Sequence, residues 1–485
     1  MNTHDEAPDS GLWNEDLAPV ESRRRTWSEW NIAALWIGMA VCIPTYTLAS
    51  GLIGQGMNWS QAVLTVFLGN LIVLIPMTLN AHPGTAYGIP FPVLLRASFG
   101  TLGSNIPALM RGIVACGWFG IQTWVGGAAI HSTAAVVFGF DPSQHAKLPV
   151  LGITAGEFVC FLLFWAVNVY FILRGMDSIK WLETLSAPFL LVIGLGLVYW
   201  AWKTADGFGP IFSQPSKLDT PALFWPVFGA GLTAMVGYWS TLSLNIPDFS
   251  RYARSQRDQI VGQTIGLPTT MTFYAFIGVV VTSATVVIFG EALWDPVQVI
   301  SKFGNPWISA FALLTLAIAT LSTNIAANVV SPANDFSALA PRRISFRTGG
   351  LITSLIGLLM FPWKLYQDPS GYIFTWLIGY SALLGPIAGI MIADYFVWRR
   401  TKLKVADLYR ADGIYRYCGG ISLVGFAVLV LSVLPNIPGF LMTIGIFPAN
   451  TFPAWIVAAY HYAWFIGFTL AFGLYLLLRP IFPNR

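Results

Sequence analysis

The stretch IGMAVCIPTYTLASG, residues 37–51, combines the length of a membrane-spanning run with an interruption at its middle. It lies in an apolar run from 30 to 54, which is long enough for the roughly 20 residues that cross a bilayer as a helix. Pro44 lacks a backbone N–H, so it removes one helical hydrogen bond at that point. The sequence therefore predicts a transmembrane helix that is broken at Pro44 and Thr45.

A second apolar run, from 221 to 246, has its own interruption in the stretch TAMVGYWSTLSLNIP, residues 233–247, with Gly237 at midspan. An unwound segment at this depth exposes backbone carbonyls and half-helix ends, and a pair of such breaks in two halves of a chain is typical of a transporter site. The alternative for each break alone is a proline kink or a packing glycine.

Composition places both runs in an all-α integral membrane protein. Of the 485 residues, 55% are hydrophobic and only 10% are charged, whereas soluble proteins average about 25% charged residues. Continuous apolar runs exclude an outer-membrane barrel, whose strands alternate, and the composition also excludes a disordered chain and a nucleic-acid binder. The predicted spans number about twelve at roughly 20 residues each. They are 30–54, 59–80, 103–138, 149–173, 179–203, 221–246, 262–290, 305–333, 346–363, 370–398, 419–440 and 454–479.

Basic residues predict the orientation of the chain, because Lys and Arg collect on the cytoplasmic side of membranes. With the N-terminus inside, all but five of the 26 Lys and Arg residues lie in cytoplasmic segments or at cytoplasmic span ends. The five exceptions are Lys147, Lys203, Lys217, Lys302 and Lys364. Both termini are therefore predicted in the cytoplasm. Residues 1–29 are predicted to form a cytoplasmic tail, whose acidic part from Asp5 to Glu21 is predicted to be mobile.

Catalytic motifs are missing from the sequence. The five histidines form no HExxH pair and no GxSxG elbow occurs, so the sequence predicts no enzyme. The four dispersed cysteines indicate neither a disulfide framework nor a metal-binding cluster. We expect no cofactor, and the scarcity of charge inside the spans disfavours an ion channel or a pump that works through buried carboxylates.

Neutral polar and aromatic side chains therefore have to carry the function. Trp118 and Gln122 are four residues apart in GWFGIQTW and share one helix face, and Asn324 and Asn328 do the same in ATLSTNIAANVVSP. An indole offers a stacking surface, joined by Trp239 after the second break, and an amide both donates and accepts hydrogen bonds. These groups suit a flat, neutral, hydrogen-bonding heterocycle. For any single tryptophan, a place at the membrane interface is the alternative.

Two hydroxyls indicate a cation site. Ser322 and Thr323, with carbonyls of the unwound first span around Gly38 and Val41, could hold Na⁺ without a carboxylate. Ordinary hydrogen bonds between helices are the alternative role for both hydroxyls.

Four stretches in order resemble the nucleobase:cation symporter-1 (NCS1) family, which carries nucleobases, hydantoins and allantoin. They are GTAYGIPFPVLLRASFG (84–100), SLNIPDFSRYARSQRDQIVGQTIGLP (243–268), STNIAANVVSP (322–332) and LGPIAGIMIADYF (384–396). The resemblance implies a LeuT-like core of two inverted five-helix repeats, 30–203 and 221–398, followed by two further helices in 419–485. It also implies alternating access in a bacterial inner membrane.

Site residues follow from the same resemblance. Trp118 and Trp239 would sandwich a planar ring, and Gln122 and Asn328 would read its edges. The carbonyls of Gly38, Val41 and Ala319 and the hydroxyls of Ser322 and Thr323 would form the sodium site, whereas some relatives couple to protons. The partners expected are a small heterocycle, a coupling cation and the lipid bilayer, with no nucleic acid, for a chain that is monomeric.

Two residues depart from the family pattern. Cys42 stands where members often carry an amide, and Tyr238 stands where the hydantoin branch has glycine, next to Gly237. The central stretches are closer to the allantoin branch, so the sequence favours a symporter for allantoin or a related ureide. The alternatives are a uracil- or cytosine-type permease with proton coupling, and a membrane receptor that does not transport.

Overall fold

The computed structural model describes residues 11–174, 176–366, 371–448 and 450–481, without the side chains of 176–187 and 372–374. The first ten residues of the predicted tail and the last four of the chain thus lie outside the described residues. Within these ranges every regular element is a helix, and extended pairing is limited to isolated bridges.

Helices of the first half, in chain order, are α1 (Glu29–Ala40), α2 (Ile43–Gly54), α3 (Trp59–Tyr87), α4 (Phe91–Phe99), α5 (Asn105–Phe138), α6 (Ala155–Arg174), α7 (Met176–Thr204) and α8 (Phe208–Phe212). Those of the second half are α9 (Pro221–Tyr238), α10 (Ser240–Asn245), α11 (Pro247–Ser250), α12 (Gln256–Phe289), α13 (Pro296–Ser301), α14 (Pro306–Asn328), α15 (Val330–Leu339), α16 (Phe346–Leu359), α17 (Pro362–Leu365) and α18 (Ile378–Ile392). The last are α19 (Val405–Leu408), α20 (Leu423–Val433), α21 (Ile437–Thr443), α22 (Ala454–Tyr460) and α23 (Ala463–Ile481).

Long apolar helices account for most of the predicted spans. In the described chain, nine helices are long and apolar enough to cross a membrane, and the bent pair α1 and α2 makes a tenth. Pro188–Thr204 within α7, and α16, are shorter apolar helices. Together these elements are consistent with the predicted twelve spans.

Helix packing brings the third and eighth spans together. The long helix α5 packs along α14, α12 packs against α1, α2 and α3, and α18 packs against α23. The core of the molecule therefore lies where the two broken spans meet the α5 and α14 pair.

The first break lies slightly before its predicted place. Helix α1 ends at Ala40, α2 begins at Ile43, and their axes differ by 58°. Pro44 is the second residue of α2, not the point of rupture, because a proline in the first helical turn loses no hydrogen bond. The Cys42 N–H turns back to the Ala40 carbonyl at 3.0 Å instead of continuing the helical pattern to Gly38.

The second break lies one or two residues after its predicted centre. Helix α9 continues through Gly237 to Tyr238, and the chain leaves helical geometry at Trp239 (φ −94°, ψ 2°). Gly237 serves a close contact with α18: a Cβ at this position would collide with the Ser381 hydroxyl and lie 3.1 Å from the Leu377 carbonyl. The glycine is therefore needed for the approach of the sixth span to the tenth.

Gly237→Ala should lower thermal stability and separate α9 from α18, because the added methyl group overlaps Ser381. Part of the loss should be recovered in Gly237→Ala with Ser381→Ala, which removes the colliding hydroxyl. Melting of the detergent-solubilised protein measures both effects. A Gly237→Ala protein as stable as the wild type would contradict the close contact.

The N-terminal segment is packed where the sequence predicts a mobile tail. Leu17 is fully buried, and its carbonyl accepts a 2.7 Å hydrogen bond from the Tyr409 hydroxyl. The Val20 N–H donates to the Gly88 carbonyl at 2.9 Å, and the Trp27 N–H donates to the Tyr252 carbonyl at 2.9 Å. From Gly11 to Glu21 the prediction of mobility is therefore wrong, because backbone pairing and apolar burial hold the segment in place.

A buried ion pair joins α5 to α15. The Arg111 guanidinium donates to the Asp335 carboxylate at 2.7 Å, and solvent reaches almost none of either side chain. Removing one partner of such a pair leaves a buried charge without compensation, which costs about 3 to 5 kcal/mol.

Asp335→Leu should therefore destabilise the protein by about 3 kcal/mol or abolish its accumulation, because Arg111 is left buried and unpaired. Arg111→Leu combined with Asp335→Leu should recover much of the stability. The matched control is Asp412→Leu, at the exposed pair with Arg410, which should change stability by less than about 1 kcal/mol. Equal melting temperatures for the three proteins and the wild type would refute the structural role of the pair.

Candidate solute-binding site

A small cavity opens where the two broken spans meet α5 and α14. The room that it leaves for the centre of a water molecule is about 20 Å³, which accommodates about one water. Among the described residues that form its wall, none is charged. The lining residues are Met39, Cys42, Trp118, Gln122, Tyr238, Trp239, Thr241, Leu242, Thr323, Ala327 and Asn328.

The structure brings six of the seven predicted solute-binding residues to this cavity. Gly237 is not among the lining residues, because it lies against α18. Four further lining residues were not predicted from the sequence: Met39, Thr241, Leu242 and Ala327. They could have been predicted from their positions: Met39 lies just before the first break, Thr241 and Leu242 follow the second break, and Ala327 is next to Asn328.

Helix α5 presents one wall. Trp118 and Gln122, one helical turn apart, both line the cavity, as their spacing predicts. The Trp118 indole N–H donates to the Tyr380 hydroxyl at 3.3 Å, which holds the ring against α18. The Gln122 Oε1 atom is buried and has no hydrogen-bond partner among the described residues. A buried amide oxygen without a partner is costly, so this atom is suited to accept a hydrogen bond from a solute.

Helix α14 presents the facing polar group at its last residue. The Asn328 side chain lines the cavity and donates to Asn324 Oδ1 at 3.0 Å. Asn324 in turn donates to the Phe119 carbonyl at 3.2 Å, the Thr123 hydroxyl at 3.1 Å and Asn168 Oδ1 at 3.2 Å. Asn324 thus ties α14 to α5 and α6, and it positions Asn328.

The two asparagines should give different losses on truncation. Asn328→Ala should weaken solute binding with little change in thermal stability. The polar edge of the bound solute would lose its hydrogen-bond partner, which costs about 1 to 3 kcal/mol. Asn324→Ala should lower the melting temperature, because α5 and α6 lose the side chain of α14 that binds both. Solute titration and thermal melting of both variants separate the two effects, and identical profiles would contradict this division of roles.

Trp239 is held from outside the cavity. Its indole N–H donates to Asn70 Oδ1 on α3 at 2.9 Å, and its ring meets Trp36 edge-on at 5.1 Å. Both indoles are buried. The ring is therefore a fixed part of the wall.

Tyr238 joins the two broken spans. Its hydroxyl lies 3.2 Å from Cys42 Sγ and 3.3 Å from Thr45 Oγ1. Its ring centre lies 5.1 Å from that of Trp118 and 4.8 Å from that of Trp239, nearly perpendicular to both indoles. The phenol thus stands next to both of the predicted stacking surfaces.

The predicted cation ligands lie on α1, at Val41 directly after it, and on α14, and α1 contacts α14. Ser322, Thr323 and Ala319 are buried on α14, and the Thr323 hydroxyl donates to the Ala319 carbonyl at 3.2 Å. Thr323 also lines the solute cavity. In the described part of the chain, no three His, Cys, Asp or Glu side chains form a metal-binding group. The predicted cation ligands are hydroxyl and carbonyl oxygens, which carry no charge.

Comparison with known proteins identifies the family. A sequence model of the family described as "Permease for cytosine/purines, uracil, thiamine, allantoin" matches residues 19–467. The chain belongs to this family, NCS1. It is accordingly a multi-pass membrane transporter and not an enzyme, which excludes the receptor alternative.

Two curated relatives match along nearly the whole chain. A purine-uracil permease of Arabidopsis thaliana is 43% identical over 97% of this chain and 78% of its own length. An allantoin permease of Bacillus subtilis is 40% identical over 97% of this chain and 94% of its own length.

A solved structure confirms the fold. Mhp1, described as a nucleobase-cation-symport-1 family transporter in a closed conformation with bromovinylhydantoin bound, superposes with a TM-score of 0.77 at 26% identity. The match covers 98% of this chain and 97% of that one. The predicted all-α membrane fold of inverted five-helix repeats is confirmed.

Proposed function

We propose that this protein is a secondary active symporter that imports a planar nitrogenous heterocycle, allantoin or a related ureide, together with a cation. One observation carries the proposal: six residues chosen for this chemistry, from four separate elements, line one uncharged cavity at the helix breaks. The allantoin permease of Bacillus subtilis supports the solute class.

Solute recognition uses the two walls of the cavity. Trp118 and Trp239 supply the aromatic surface, and such stacking is worth about 1 to 3 kcal/mol per base. Gln122 and Asn328 read the polar edges from α5 and α14, and Cys42 and Tyr238 border the site from the two broken spans. Each amide offers a donor and an acceptor, which matches the alternating N–H and C=O groups of a ureide.

The coupling cation is Na⁺, held by the carbonyls of Gly38, Val41 and Ala319 and the hydroxyls of Ser322 and Thr323. The change of hydrogen-bond pattern at the first break supports this assignment, since the Cys42 N–H goes to Ala40 and not to Gly38. Because Thr323 also lines the solute cavity, the two sites share a wall. Cation and solute then raise each other's affinity by the same factor.

Transport proceeds by alternating access, with the first, second, sixth and seventh spans moving against the third, fourth, eighth and ninth. The moving parts belong to two repeats, 30–203 and 221–398, and 419–485 adds two outer helices. The chain works as a monomer in a bacterial inner membrane with both termini in the cytoplasm. The bias of Lys and Arg toward one side supports this orientation.

Tryptophan quenching tests the solute class. Allantoin, hydantoin, uracil and cytosine are titrated into the purified protein with and without Na⁺, and transport counterflow in proteoliposomes follows. Preloaded unlabelled solute should accelerate uptake of the labelled solute. If none of the four binds, the proposed function is wrong.

A uracil-type permease with proton coupling is the second candidate. It is favoured by the 43% identity to the purine-uracil permease of Arabidopsis thaliana, which exceeds the 40% identity to the allantoin permease. Tighter binding of uracil than of allantoin, with no effect of Na⁺, would select it.

Ser322→Ala and Thr323→Ala should each raise the Na⁺ concentration needed for half-maximal solute binding, because each removes one proposed oxygen ligand. The matched control is Thr320→Ala on the same helix, whose hydroxyl donates to the Leu316 carbonyl at 2.8 Å. Solute titrations at several Na⁺ concentrations measure the shift. If all three variants keep the Na⁺ dependence of the wild type, the sodium assignment fails and the carrier function stands.

A further inference from the structure

A buried arginine lies where the tenth and twelfth spans end together. Arg479 is in the last turn of α23, and only 6% of it is exposed. Helix α23 packs along α18 and along the π-helical turn Ala393–Trp398 that follows it. Both helices end at the side of the membrane that the distribution of Lys and Arg predicts to be cytoplasmic.

The Arg479 guanidinium has no acidic partner in the described part of the chain. Its Nε atom is buried and makes no hydrogen bond there, and the ion pairs of the same residues do not include Arg479. A buried charge without a partner is costly. The site therefore favours a ligand that brings a negative charge.

The carboxylate at this end of α18 is already occupied. Asp394 accepts a hydrogen bond from Arg399 at 2.6 Å and forms an ion pair with it. Tyr475, one turn before Arg479, donates to the same carboxylate at 2.7 Å, and Ser98 donates to it at 3.1 Å. Asp394 thus compensates Arg399, and the charge of Arg479 is left over.

Two aromatic rings lie against the guanidinium. Its central carbon is 5.3 Å from the centre of the Trp398 ring and 5.6 Å from that of the Tyr417 ring. A ring face attracts the cation, but it does not accept the N–H donors as an oxygen would. The Tyr417 hydroxyl donates to the Ala97 carbonyl at 2.6 Å, which fixes its ring. Trp398 is 42% exposed, as is typical of an indole at a membrane interface.

Further basic residues flank the two rings in the sequence. Arg400 and Lys402 follow Trp398, and Arg416 precedes Tyr417. All three are exposed, and none belongs to an ion pair of the described residues. Such a surplus of positive charge beside the end of a span attracts anionic lipids. A headgroup without net charge gains less from it.

We propose that Arg479, Trp398 and Tyr417 form a binding site for the phosphate group of an anionic phospholipid in the cytoplasmic leaflet. The phosphate oxygens accept the N–H donors of Arg479, because a guanidinium can offer two parallel hydrogen bonds to phosphate. The bound lipid stabilises the junction between the ends of the tenth and twelfth spans. The site shares no residue with the lining of the solute cavity, so lipid binding and solute binding can be measured separately.

Phosphatidylglycerol is the anionic probe, and phosphatidylcholine, which has a phosphate but no net charge, is the matched neutral probe. Native mass spectrometry of the detergent-solubilised protein gives a dissociation constant for each lipid. The wild type should bind phosphatidylglycerol more tightly than phosphatidylcholine, and added phosphatidylglycerol should raise its melting temperature.

Three substitutions locate the binding site. Arg479→Gln should weaken phosphatidylglycerol binding about tenfold or more, as expected for the loss of hydrogen bonds to a charged group. Trp398→Leu removes one ring face and keeps the guanidinium, so it should weaken binding by a smaller factor. The matched control is Arg347→Gln, which makes the same change of charge at an exposed arginine near the start of α16. It should leave the affinity unchanged.

An Arg479→Gln protein that binds phosphatidylglycerol as tightly as the wild type would overturn the proposal. Equal weakening by Arg479→Gln and Arg347→Gln would also overturn it, because it would indicate a general effect of surface charge. If Arg479→Gln does not accumulate, Trp398→Leu decides, and an unchanged affinity in that variant refutes the site.

Inorganic phosphate distinguishes a headgroup from a free anion. It should not displace phosphatidylglycerol from the wild type, and displacement would show that the site takes free phosphate instead of a lipid. Solute titration of the same wild-type protein is independent of these results. A protein that binds the lipid as described and none of the heterocycles would refute the proposed function and leave the lipid site standing.

Discussion

A broken helix inside a bilayer has to satisfy its free backbone groups within the protein, since the hydrocarbon offers no hydrogen-bond partner. This constraint governs the architecture of the protein. Both interruptions, at Val41 and Cys42 and at Trp239, lie in its interior. The first is covered by α12, and the second is covered by α3 and α18. The backbone N–H and C=O groups freed at the two breaks are thereby kept together in the protein interior, away from lipid.

Hydrogen bonds between neutral side chains hold the walls of the cavity at the two breaks. Asn324 binds three neighbouring groups across α5 and α6, and Asn70 fixes the Trp239 indole. The Tyr238 hydroxyl contacts the Cys42 sulfur, and the Thr45 hydroxyl donates to the Met271 sulfur. Hydrogen bonds between neutral groups in membranes contribute about 0.6 to 2 kcal/mol each. Several such bonds thus hold the walls around the cavity in place.

Much of this could be predicted from the sequence, because apolar length, proline and glycine act locally. The spans, the two breaks and the pairs Trp118 with Gln122 and Asn324 with Asn328 follow from periodicity and residue type. The exact break positions do not, because Pro44 is as compatible with a helix start as with a rupture. The contact of Tyr238 with Cys42 joins residues 196 positions apart, and no local pattern encodes that contact.

The N-terminal segment, although polar, packs against the helical domain as part of the folded structure. Its backbone hydrogen bonds reach the end of α3 through Gly88 and the loop before α12 through Tyr252, and Leu17 is covered by Tyr409. Anyone who designs an affinity tag or a fluorescent fusion for this protein should therefore attach it ahead of Gly11. Deleting the residues before Trp27 would remove a segment whose hydrogen bonds link it to Gly88 and Tyr409.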